Sequence, residues 1–226
     1  MPSSVAASED IEGTLREPGS SGQPCVATRA VAVVRYGALV IALVDESIVP
    51  LGQGGYVLAC VVIPDQNKSA IRRRVRRISP SGHRQFHWTT EEERERWAMV
   101  RVLSEEATSL IAHVRRPCTR GVHEVARAEL LRALLGGLRD ADVLDLVIES
   151  RQAHNDHRDR HMIAEAQRRG DANRDLSYGH ADPRQEPLLW LADALAGAVA
   201  ADVRKRGNYI SSLPEGLLVL RRTTGR

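Results

Sequence analysis

The chain has 226 residues, a formal net charge of +3 and a pI near 9.0. That length accommodates one domain with a substantial core, and 42% hydrophobic residues is ordinary for a globular protein. Three cysteines with no CxxC pair argue against a zinc knuckle or a disulfide framework, and no uncharged apolar stretch reaches the ~18 residues of a membrane span.

In chain order, residues 1–28 are rich in Ser, Gly, Pro and Glu and read as a flexible tail, with one domain over 29–226. No basic region precedes an apolar one there, so no secretory signal is expected and the cytoplasm is the expected compartment. The β-branched run from Ala38 to Val44 predicts a buried strand ending at Asp45-Glu46-Ser47. Pro50 to Gly55 supplies turn residues, and Tyr56 to Ile63 predicts a second strand, paired with the first as a hairpin. Cys60 lies inside that run as a small core residue.

Asp65 to Ile78 reads as a helix carrying Arg72, Arg73, Arg74, Arg76 and Arg77. Arginines this dense either grip nucleic-acid phosphates or form a solvated face. A helix is predicted over 89–108, with Thr as its cap and acids in its first turn. Then follow a strand from Ser109 to Val114, a Leu-striped helix from Val122 to Leu138, a strand from Asp142 to Ile148 ending in Glu149, and a polar helix from His154 to Arg169. Leu176 to His180 reads as a short strand, Pro187 to Arg206 as an apolar helix, and Gly216 to Leu220 as an edge strand. Strands alternating with helices after a hairpin point to an α/β fold with a mixed sheet.

The chemistry concentrates on carboxylates. Asp193 is the only charge in the run Pro187–Ala201, and an unpaired buried carboxylate costs several kcal/mol. It either reaches water at the helix edge or meets a cation, a proton or donors. Asp45 and Glu149 both follow buried strands, where the ligand crevice of an α/β sheet opens. With Glu46 they form a candidate carboxylate set of the kind that holds hard cations such as Mg or Mn. Two such ions can activate water and stabilise the leaving oxygen of a phosphodiester.

His87, inside Phe86-His87-Trp88, is either a general acid or phosphate contact, or a packed structural histidine. His180 reads the same way with less support. His154, His157 and His161, at helical spacing, read as a solvated face. Lys205 and Arg206 follow the apolar helix and are further candidates for phosphate contact.

The ordered set Val44-Asp-Glu-Ser47, Gly55 to Ile63, Phe86-His-Trp88, Leu146-Val-Ile-Glu149 and Leu188 to Gly197 resembles the domain of unknown function 3800 family, over about residues 39 to 206. The resemblance implies a ribonuclease H-like fold. It also implies a divalent-metal-dependent nuclease in which Asp45, Glu149 and Asp193 hold two metal ions. Three positions depart from that pattern: Ile48 replaces a glycine, Glu149 an aspartate, and Phe86 an acid before the histidine. A non-catalytic interaction module on the same fold, or a hydrolase of a small phosphate ester, are the alternatives.

Overall fold

The computed structural model describes residues 39–50, 54–78 and 85–224. The predicted tail lies outside the described residues. All those described belong to one compact unit, Ala32–Arg226.

Six strands form a single mixed sheet: β1 (Val40–Val49), β2 (Gly55–Pro64), β3 (Ser109–Arg116), β4 (Asp145–Glu149), β5 (Ser177–Ala181) and β6 (Leu218–Thr224), in the order β5-β4-β1-β2-β3-β6. β1, β2 and β3 run antiparallel in succession, while β4 joins β1, β5 joins β4 and β6 joins β3 in parallel. Among the described residues five α-helices accompany the sheet: α1 (Lys68–Ile78), α2 (Glu93–Glu106), α3 (His123–Asp140), α4 (Ala153–Arg169) and α5 (Leu189–Val203). The architecture is the expected one, an α/β mixed sheet flanked by helices.

Alternation along the strands divides the core in two. Ile41 and Leu43 of β1 pack with Met99 and Leu103 of α2 and the apolar length of α5. Val40, Ala42 and Val44 face the other way, against Leu130, Leu131 and Leu134 of α3 and Ile163 of α4. The helix predicted from Pro187 is wholly buried over Leu189–Ala201, as its apolarity on all sides requires.

Several boundaries differ from the sequence reading, and two of them bear on the site. β1 does not end at Val44 but runs through Asp45 and Glu46 to Val49, paired with β2 all the way to Gly55. The charges do not stop the strand because each finds its own environment on one side of the sheet. α2 begins at Glu93, and the threonines before it do not cap it. Residues 87–91 form a turn instead: the amides of Thr90 and Glu91 both donate to the His87 carbonyl, and so does the Thr90 hydroxyl, at 2.9, 3.2 and 3.1 Å.

Candidate functional site

The side chain of Asp45 follows Leu43 on the α5 face of the sheet, by alternation, and is buried. In the parallel β1–β4 ladder Leu43 lies beside Val147 and Val44 beside Ile148. One more step in that register sets Glu149, the last residue of β4, beside Asp45. Each carboxyl group lies close enough to shift the titration of the other. α5 lies across β1 and brings Asp193, also buried, over the pair.

The electrostatics match this crowding. Burial, and after it the Glu149 and Asp193 carboxylates, push the Asp45 pKa well above the ordinary range. Glu149 is raised as well, by burial first, with Asp193 and Glu46 adding to it. Among the main influences on these two acids the only cationic side chain is His87, which pulls Glu149 down.

The Phe86-His87-Trp88 segment is docked onto α5. Phe86 and Trp88 are buried, and the Trp88 amide donates to Asp193 Oδ2 at 2.8 Å. The indole sits on Gly197, one helical turn beyond Asp193. A Cβ there would lie 2.1 Å from Trp88 Cγ, so only glycine lets the ring in. His87, between the two anchors, remains 57% exposed, with Nδ1 3.5 Å from Asp193 Oδ1. That contact raises its pKa, against a smaller opposing effect of burial, and Glu149 and Glu91 add to the rise. Gln85, His87, Thr90 and Glu149 line one open cleft. Asp193 is thus largely buried, and its partners are a backbone amide and an imidazole.

Glu46 is separated from this group. The side chain after Asp45 points to the other face, and there its carboxylate pairs closely with the Arg127 guanidinium and lies 3.8 Å from Arg151. Arg127 is 1% exposed and also holds Asp159 at 2.8 Å. Arg151 and His180 both lie 3.4 Å from Asp159, and Ser150 donates to Asp156 at 2.7 Å. This buried ionic network escaped the sequence reading, which had named only Glu46 and His180 among its members and in other roles. A signal existed: Arg127 lies three and four residues before Leu130 and Leu131, a lone charge on an apolar stripe, as Asp193 is.

The basic candidates scatter. Arg72 forms a bidentate pair with Glu186, at 2.9 and 2.5 Å. Arg74 holds Glu106 at 2.7 Å and also pairs with Glu105. Arg73, Arg76 and Arg77 are exposed. Lys205 and Arg206 follow the far end of α5, whose last residue lies roughly 15 Å along the axis from Asp193 at about 1.5 Å per residue. His154, His157 and His161 are exposed on α4.

The acid set is all oxygen, the donor type that hard cations take. The positions are another matter: among the described residues no group of three or more His, Cys, Asp or Glu is arranged to hold a metal ion. In this arrangement Asp45 and Glu149 crowd each other, and an amide and an imidazole engage Asp193. The donor chemistry therefore fits a divalent cation, and loading one would require the two raised carboxyl groups to be ionised.

No family model matches the chain, and no curated protein is significantly similar to it. Among solved structures it is similar to the ribonuclease H2 from Pyrococcus horikoshii OT3, with 15% identity and a TM-score of 0.49, over 79% of this chain and 80% of that one. The likeness concerns chain path and lends nothing to residues or reaction. Among the described residues no helix is long and apolar enough to cross a membrane.

Proposed function

We propose that this chain is a divalent-metal-dependent nuclease of ribonuclease H-like type, related to the domain of unknown function 3800 family. The observation that carries the reading is the convergence of buried Asp45 and Asp193 with half-buried Glu149, where two of the three are held above their ordinary pKa and His87 is the one cationic side chain among the main influences on them. Like charges are gathered at a stability cost when a ligand uses them. Asp45, Glu149 and Asp193 would hold Mg or Mn, which supplies charge neutralisation and an activated water at the scissile phosphate. Glu46 is committed to Arg127 and stands outside the ligand set.

His87 is placed to move a proton. Its Nδ1 faces Asp193, which leaves Nε2 as the ring nitrogen on the exposed side, in the cleft shared with Glu149. A raised pKa keeps the ring protonated nearer neutrality, as a donor to a leaving oxygen must be. Asp193 and the Trp88 amide orient that ring. The openness of the cleft favours a polymer over a small phosphate ester, whose pocket would enclose most of it. One observation favours a non-catalytic interaction module instead, namely that no three-donor group stands ready among the described residues.

Calorimetric titration with Mg²⁺ and Mn²⁺, followed by a cleavage screen of DNA and RNA with and without EDTA, tests the proposal. Expected are ion binding that Asp193→Asn weakens and cleavage that EDTA abolishes. Absence of ion binding in the wild-type protein rejects the nuclease in favour of the module.

A further inference from the structure

On the α5 face of the sheet, α1 and α2 leave a groove between them. Arg74, Arg77 and Ile78 line it from α1, and Arg94, Trp97 and Arg101 from α2. Each set follows helical spacing: Arg74 and Arg77 are three apart, while Arg94, Trp97 and Arg101 form one stripe of three and four. Arginines from both helices therefore line one groove together with an indole from α2.

Their charges are differently engaged. Arg74 answers Glu105 and Glu106, and Arg94 pairs with its neighbour Glu95 at 2.7 Å. Arg77 and Arg101 are exposed and have no acidic partner among the described residues. Trp97 is half-buried, its ring packed at 4.7 Å against Tyr209. Tyr209 in turn meets Trp88 edge-on at 4.8 Å, and the Trp88 amide holds Asp193. A chain of three aromatic rings therefore connects the groove to the carboxylates.

We infer that this groove is a binding track for single-stranded nucleic acid, with Arg77 and Arg101 on its phosphates and Trp97 as a stacking platform for one base. The inference rests on the nuclease reading for its purpose, but the surface is argued from its own chemistry. A positive groove with an aromatic side chain is what an unpaired strand recognises. A duplex keeps its bases stacked inside and offers Trp97 none, and an acidic peptide offers no flat ring for the indole.

Fluorescence anisotropy tests the inference on the full chain in EDTA, with labelled single-stranded dT12 and rU12 and a DNA duplex of equal length. Expected are binding of a single strand at least tenfold tighter than the duplex, and a further tenfold loss in Trp97→Ala. Arg77→Gln combined with Arg101→Gln is expected to weaken binding and to flatten the log–log salt slope by about 1.4, or ~0.7 for each phosphate left without its arginine. Arg168→Gln, on the opposite face, serves as the charge control and leaves both unchanged. Circular dichroism of each variant checks folding, and Trp97→Phe restores most of the affinity if stacking is its role.

Equal loss in the Arg168 control, equal affinity for the duplex, or competition by poly-glutamate as strong as by dT12 would each overturn the inference. The two readings separate cleanly. Single-strand binding by a protein that cleaves nothing keeps the track and rejects the nuclease. Cleavage that survives the Trp97 and double-arginine changes keeps the nuclease and rejects the track.

Discussion

Asp193 is asked to do two things at once, and substitutions separate them. Its Oδ2 accepts the buried Trp88 amide and its Oδ1 faces His87. Asp193→Asn keeps an acceptor for the amide but removes a charge from beside Asp45 and Glu149. It is expected to fold, to melt no lower than wild type in EDTA, and to lose the extra melting temperature that Mg²⁺ confers. Asp193→Leu strands the amide as well and is expected to cost about 1–3 kcal/mol in urea titrations. An Asn variant that gains as much from Mg²⁺ as wild type would remove Asp193 from any ion site. The pH dependence has a definite sign. Asp45 and Glu149 are raised in the folded state, so the folded protein binds more protons than the unfolded chain near those values. Their contribution is present below the ordinary carboxylate range and is lost as pH rises through the raised folded values. His87, raised from 6.5, acts in the same direction. Melts in EDTA are therefore expected to fall from mildly acidic pH upward, and the gain from Mg²⁺ to grow over the same range. A flat profile would mean the carboxylates are already satisfied.

At the level of elements, α5 positions the site through a glycine. Placing Ala at an interior helix position ordinarily adds about 1 kcal/mol of helix stability. At Gly197 the added methyl group would stand 2.1 Å from the Trp88 ring, and forced overpacking costs about 1–3 kcal/mol. Gly197→Ala is expected to lose stability on denaturant titration and to displace His87, seen as a shift of its titration by NMR toward 6.5. A stabilised variant would show that the indole yields freely. On the other face, Arg127→Met leaves Glu46 and Asp159 buried without their guanidinium, and a loss of about 3–5 kcal/mol is expected. The strands and helices were legible in the sequence because their apolar periods are strong: the β-branched runs of β1 and β2, the Leu stripe of α3 and the unbroken apolar length of α5. The end of β1 was not legible. Asp45-Glu46-Ser47 reads as a turn until one knows that β2 continues beside it and that an arginine from α3 receives Glu46. The start of α2 was hidden for a similar reason, since the His87 carbonyl takes the amides that a threonine cap would have bonded.

For the whole molecule, the sheet separates two electrostatic systems that begin on consecutive residues. Toward α5 the acids converge with little to balance them, and toward α3 and α4 acids and arginines close on one another. Three of the four candidate carboxylates came together because strand ends and a lone charge in an apolar helix are local signals. The assignment of Glu46 to the opposite face is a matter of parity along a strand, and its arginine partner comes from 81 residues away. The dense arginines of α1 likewise read as one patch in the sequence, whereas the helix turns them toward different neighbours. The groove opposite Arg94, Trp97 and Arg101 becomes visible only when α1 and α2 are side by side.

The parity of Asp45 and Glu46 reaches into how the chain finds its fold. A β1 strand shifted by one residue against β2 and β4 would exchange their faces: Glu46 would be driven under α5 and Asp45 turned toward Arg127. The apolar residues of β1 would give little resistance, since Val40, Ile41, Ala42, Leu43 and Val44 are buried whichever way they point. The two acids are thus the register marks of an otherwise ambiguous strand, read by the length of a side chain and the reach of one guanidinium. Anything that binds the three converged carboxylates binds only the correctly registered sheet, and so draws the population toward it by mass action. On the nuclease reading proposed above, a divalent cation held there would favour the correct strand alignment as well as the reaction.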